Sequence, residues 1–313
     1  MNKALLLSLA LFCCGLQMQA QTMTEDEIMA KLNEASALDN AKKTAEALDA
    51  FLLIGKNMEQ QRTEVEHQIY VYCQAKACMC YETLNRYEEA YLLAKKLIAG
   101  NLTEKEKKDV GHLYAVNGYL YASSFMHGNN RQLVKARTIL EEIMPYADDR
   151  VREYALPKIP LSWYLEGAEY HLSQQYDKAL VCYPNALKGF IELRKTDDEI
   201  PVLRHIAEIK GTLYDVAGSE DAYKQALALA KQIGKTNVQM EILKELWKIG
   251  KTIGDVQQAQ AYAASIDSLV DATSDLQTKY TYYNQKGNEA RDLGQYGIAE
   301  QWYLRGKDIA ECA

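Results

Sequence analysis

The sequence predicts an all-α chain, a solenoid of about seven antiparallel helix pairs, on three observations. Only 5 of its 313 residues are Pro. Alternating β-branched runs are few, while Ala, Leu, Lys, Glu and Gln, which lose little freedom in a helix, are frequent. Small and aromatic residues also return at matching offsets along the chain. With 48% hydrophobic and 25% charged residues the chain has the make-up of a folded protein and not of a disordered one. Its 36 Lys plus Arg against 43 Asp plus Glu give a formal charge of -7, which argues against a nucleic-acid binder.

Residues 1–20 read as a secretory signal peptide. Lys3 gives a positive start, Ala4 to Gly15 an apolar run, and Gln17-Met18-Gln19-Ala20 a polar stretch ending in a small residue. The run falls short of the roughly 20 apolar residues that a bilayer-spanning helix needs. Cleavage after Ala20 leaves residues 21–313 for the periplasm. An alternative route to the envelope lipidates Cys13 or Cys14, although Phe12 stands where a small residue is wanted. No transmembrane segment is expected further on. Cys73, Cys78, Cys80, Cys182 and Cys312 lack the spacing of a disulfide framework and read as small packing residues.

The helix pairs can be justified in order. A first pair spans residues 24–58, with Ala47, Phe51 and Ile54 in its second helix. The next carries Cys78, Tyr81, Tyr87, Ala90, Ala94 and Leu97. Tyr114-x3-Gly118-x2-Tyr121 opens a third, whose second helix bears Ala136 and Leu140 after an enlarged turn. The clearest unit is Trp163-x3-Gly167-x2-Tyr170-x5-Tyr176-x2-Ala179-x3-Tyr183-x2-Ala186. Gly211-x2-Tyr214 opens a fifth, continued by Ala222 and Ala226. A sixth keeps Leu243, Leu246, Gly254, Ala259, Ala263 and Ile266. The last runs Tyr283-x3-Gly287, then Gly294-x-Tyr296-x2-Ala299-x3-Tyr303.

In these residues the chain resembles the tetratricopeptide repeat family over nearly all of 24–313, with a period nearer 40 than the usual 34. The resemblance implies a right-handed superhelical solenoid of stacked helix pairs whose first helices line a concave, protein-binding groove. The packing logic stands by itself: Gly167 and Ala179 let paired helices approach closely, and Tyr170 and Tyr183 fill the wedge between successive pairs. Pro184 should kink or shorten its helix, and Pro201 should open one in its first turn.

Chemistry is sparse. The five His, at 67, 112, 127, 171 and 205, form no zinc-binding spacing. Gly234-Lys235-Thr236 and Gly250-Lys251-Thr252 lack the earlier Gly of a phosphate loop and fall at helix ends. No catalytic motif, cofactor or metal site is expected.

Concave positions can be read from helical geometry. One stretch is apolar and aromatic, with Tyr72, Met79, Tyr119, Tyr164 and His171. His205, Glu208, Thr212 and Asp215 follow. The C-terminal stretch is basic and amide-bearing, with Lys244, Lys248, Lys251, Asn284, Asn288 and Arg291. Three Lys on one helix face repel unless an anion or nearby carboxylate relieves them. The set resembles, in part, the carboxylate clamp of some tetratricopeptide proteins, with Asn284 and Asn288 on the peptide backbone and Lys244, Lys248 and Arg291 supplying charge. The expected function is a non-catalytic scaffold of the bacterial envelope that binds a peptide or protein segment. The alternative is an exported ligand-sensing module, similar to the sensor regions of bacterial signalling regulators.

Overall fold

The computed structural model describes residues 24–60, 63–128 and 130–312; the proposed signal peptide, with Cys13 and Cys14, lies outside them. Every regular element among the described residues is a helix. The chain forms two compact units that divide between Lys158 and Ile159.

The first unit contains α1 (Glu25–Asn40), α2 (Thr44–Asn57), α3 (Glu64–Thr83), α4 (Tyr87–Ile98), α5 (Glu104–Ser124) and α6 (Leu133–Ile143), then a 3-10 turn (Met144–Tyr146) and the short α7 (Asp149–Ala155). Thr24, Thr63 and Thr103 open α1, α3 and α5 with reciprocal caps, the Thr hydroxyl accepting from the amide of Glu27, Glu66 or Glu106 while that Glu carboxylate accepts from the Thr amide. Tight turns lead into α2 and α4, with Lys42 and Asn85 in the left-handed region. The buried side chains include Phe51 and Ile54 on α2, Tyr114 on α5, and Leu140 and Ile143 on α6. Each such apolar side chain contributes about 1.5–3 kcal/mol on burial. Tyr114 also needs a polar partner. Its hydroxyl donates to Glu142 Oε1 at 2.6 Å, Tyr91 donates to Glu142 Oε2 at 2.9 Å, and Lys95 pairs with the same carboxylate at 2.6 Å.

The second unit contains four pairs: α8 (Lys158–Leu172) with α9 (Tyr176–Glu192), α10 (Thr196–Thr212) with α11 (Val216–Gln232), α12 (Thr236–Ile253) with α13 (Val256–Ala272), and α14 (Leu276–Asp292) with α15 (Tyr296–Cys312). With the three pairs of the first unit, the described residues hold seven pairs, an all-α helical-repeat arrangement of tetratricopeptide type.

A 40-residue lattice governs the second unit. The left-handed turn residues Gln174, Tyr214, Gly254 and Gly294 fall on it, and so do the buried small residues Ala179, Ser219, Ala259 and Ala299. That lattice corrects the fifth repeat. Gly211-x2-Tyr214 does not open a pair: Gly211 is the last residue but one of α10, facing Ser219, and Tyr214 is the turn residue, 90% exposed. Ala207, buried and 40 residues after Gly167, takes the packing position instead. The close approach itself is plain at Gly167, where an added Cβ would meet the Tyr183 ring at 2.9 Å.

The two prolines also depart from expectation. Helix α9 runs unbroken through Pro184, which lies on its exposed face where water can satisfy the carbonyl left without an amide partner. Pro201 lies in the second turn of α10, because the helix already starts at Thr196 behind Lys195. No helix among the described residues is long and apolar enough to cross a membrane.

Candidate functional site

In the second unit residues of α12, α13 and α14 line a partly open cavity of about 210 Å³. Its floor is apolar, with Ala263 and Ile266 from α13, Trp247 from α12 and the ring of Tyr282 from α14. Tyr282 is fixed there because its hydroxyl donates to Asp267 at 2.6 Å, and burial together with that bond raises its pKa. The rim is charged: Lys244 and Lys248 on one side, Lys286 on the other, with Glu245 and Glu289 between them. Lys248 pairs with Glu245 at 2.8 Å, a bridge between exposed groups that holds it weakly. Lys286 lies over the Tyr282 ring at 5.5 Å. Lys244 has no carboxylate within ion-pair distance among the described residues. Three cations against two anions therefore stand over an apolar floor, an arrangement suited to a carboxylate attached to an apolar segment.

The six basic and amide positions divide between three places. Lys244 and Lys248 line this cavity. Lys251 instead covers the Trp247 ring, its ammonium 4.7 Å from the centroid. Asn284, Asn288 and Arg291 lie on the other flank of α14, toward α15. Asn284 abuts Gly306, Asn288 Oδ1 accepts from the Tyr303 hydroxyl at 2.7 Å, and Arg291 pairs with Asp292 at 3.0 Å. One clamp assembled from all six does not form in this geometry.

The aromatic positions also separate. Tyr72 and Met79, both about half exposed, line a groove of about 530 Å³ in the first unit with Ala75, Leu113 and a rim of Glu82, Asp109 and His112. Burial raises the Glu82 pKa against the opposing pull of His112. Tyr119 is not in this groove; its ring packs near Tyr154 of α7, with centroids 6.5 Å apart. Tyr164 and His171 belong to the second unit.

There they join a cluster the sequence reading missed. His171 from α8 comes beside His205 and Glu208 from α10, ligand atoms of all three lying within 4.8 Å of one another. His205 Nδ1 contacts Glu208 Oε2 at 3.0 Å and its Nε2 contacts the Tyr164 hydroxyl at 3.2 Å. The Tyr183 ring stacks on His205, with centroids 5.5 Å apart. Burial, then the nearby His205, lowers the His171 pKa, while the bond from His205 lowers that of Glu208. The signal for this cluster was a pair of His 34 residues apart, neither in a ligand motif, and only the stacking of α8 against α10 joins them.

A scan against protein-family models matches none, and a search of curated proteins finds no match. Among solved structures, the chain is similar to aspartyl phosphate phosphatase F from Bacillus subtilis, at 9% identity over 93% of this chain and 96% of that one, with a TM-score of 0.39. It is also similar to the C-terminal part of a TPR repeat-containing protein from Cytophaga hutchinsonii, at 14% identity over 77% and 96% of the two chains, TM-score 0.33. A Rap protein complexed with competence and sporulation factor shares 13% identity over 92% and 98%, TM-score 0.32. Scores this low leave the functional reading to rest on the chain's own residues.

Proposed function

We propose that the protein is a non-catalytic interaction module, exported to the periplasm, that holds an acidic or carboxylate-ended segment of a partner protein between α12 and α14. The observation that carries this reading is the cavity in which Lys244 and Lys248 stand above Trp247, Ile266 and Tyr282. An apolar floor supplies contact area and a cationic rim selects charge, which is how a groove of paired helices distinguishes one segment from another. The first-unit groove at Tyr72 and Met79 offers a second, more apolar surface for the same partner chain or another.

The test is capture from cell-envelope extract by the purified protein, beside a Lys244→Glu/Lys248→Glu variant of unchanged helical content. A partner retained by the parent and lost by the variant supports the reading. Equal retention by both, or a hydrolytic activity that purifies with the protein and is abolished by one substitution, contradicts it.

A further inference from the structure

We propose that His171, His205 and Glu208 bind a divalent transition metal such as Zn2+ through two nitrogens and one oxygen, with water completing the coordination. The geometry is the first support. Zinc holds nitrogen and oxygen at about 2.0–2.2 Å, which places tetrahedral donors about 3.4 Å apart. His205 Nδ1 and Glu208 Oε2 already stand 3.0 Å apart, and the widest separation among the three donors is 4.8 Å. All three side chains are partly exposed, so rotation about their own bonds can close that gap of about 1.4 Å.

The surrounding groups are those a metal site needs. With Nδ1 turned to the ion, His205 donates its Nε2 proton to the Tyr164 hydroxyl at 3.2 Å, which fixes tautomer and ring orientation. The stacked Tyr183 ring limits its swing.

The repeat lattice supplies an internal control. Forty residues on, the three positions are Gly211, Glu245 and Lys248, and forty further they are Lys251, Gln285 and Asn288. The helix pairs recur at both places, yet neither repeats the pair of imidazoles with a carboxylate: the first keeps one carboxylate, Glu245, and the second none. The repeat architecture therefore does not require two imidazoles and a carboxylate here, and their convergence at one inter-helix step is a property of that step alone.

The experiment titrates the full purified protein, metal-free, with Co2+ and then Zn2+. The expected result is one Co2+ per chain with visible ligand-field bands, displaced by Zn2+ and showing no near-ultraviolet thiolate band. Affinity falls at least tenfold in Glu208→Gln and in His205→Gln, and about tenfold in Tyr164→Phe, which removes only the outer partner. If His205→Gln loses helical content, His171→Asn takes its place. Absence of stoichiometric binding, affinity unchanged in the ligand variants, or a thiolate band that puts the ion on a cysteine overturns the assignment.

Discussion

Replacing Gly167 by Ala adds one methyl group at a close approach between α8 and α9. An ideal Cβ there lies 2.9 Å from two carbons of the Tyr183 ring and 3.2 Å from Cys182 Cβ. Comfortable carbon contacts begin near 3.5 Å, so the ring must recede by about 0.6 Å. Tyr183 has no exposed surface into which to move, and the rings of Tyr164, His171 and His205 border it. Helix propensity alone favours Ala over Gly by about 1 kcal/mol, whereas overpacking a filled core costs about 1–3 kcal/mol. The net expectation is a loss of up to about 2 kcal/mol. Gly297, which has nothing within 4 Å of its would-be Cβ, gives the control, and Gly297→Ala should be neutral or stabilising by up to about 1 kcal/mol. Urea unfolding followed by circular dichroism measures both. If Gly167→Ala stabilises as much as Gly297→Ala, the helices do not approach as closely as described and the packing account fails.

Other consequences are open to direct measurement. Glu142→Leu removes the acceptor shared by the Tyr114 and Tyr91 hydroxyls, and a loss of about 1–3 kcal/mol is expected, with Tyr114→Phe costing less in that background than in the parent. Burial alone would raise the Glu142 pKa, but bonds from Lys95, Tyr114 and Tyr91 outweigh it and hold the carboxyl low. Because the folded value lies below the unfolded one, the stability Glu142 contributes is full above about pH 4.3 and lost as pH falls through the folded value, a slope that Glu142→Gln should flatten. Cys73 and Cys78 are buried, and that burial raises their thiols to about 12. Native protein at pH 8 should therefore resist iodoacetamide at Cys73, Cys78, Cys80 and Cys182, and rapid labelling of any of them, read by peptide mass spectrometry, would place that residue outside the core.

Helix pairing was legible because the close-approach rule is local. Gly167 with Ala179 and Gly287 with Ala299 carry their own spacing, and the structure places them at helix contacts. The fifth repeat misled because Gly211-x2-Tyr214 copies a small-then-aromatic pattern by chance. The feature that sets the register is the left-handed turn residue, and that position holds Gln, Tyr, Gly and Gly in successive repeats, so composition hides it. Pro184 and Pro201 were misjudged for a related reason. Pro184 is tolerated because its side of the helix meets water, and Pro201 falls in a second turn because the helix starts upstream at Thr196, neither of which pattern alone gives.

At the groove, residues of one helix were easy to group, since Lys244 and Lys248 are a turn apart on α12. Grouping across helices needed coordinates. Asn284, Asn288 and Arg291 share a face of α14, but that face turns to α15 instead of α12. His171, His205 and Glu208 come together across α8 and α10, where the register error had assigned His205 and Glu208 the wrong repeat positions.

The central claim, that the α12–α14 groove holds a partner segment, is tested most directly by photo-crosslinking in cells. A photoreactive phenylalanine analogue at Gln285, exposed on the cavity rim, is compared with the same analogue at Ser268, exposed on α13. The account predicts a discrete crosslinked product from position 285, none from position 268, and loss of the product when Lys244 and Lys248 are changed to Glu. A product that forms equally at both positions, or that survives the charge reversal, would contradict it.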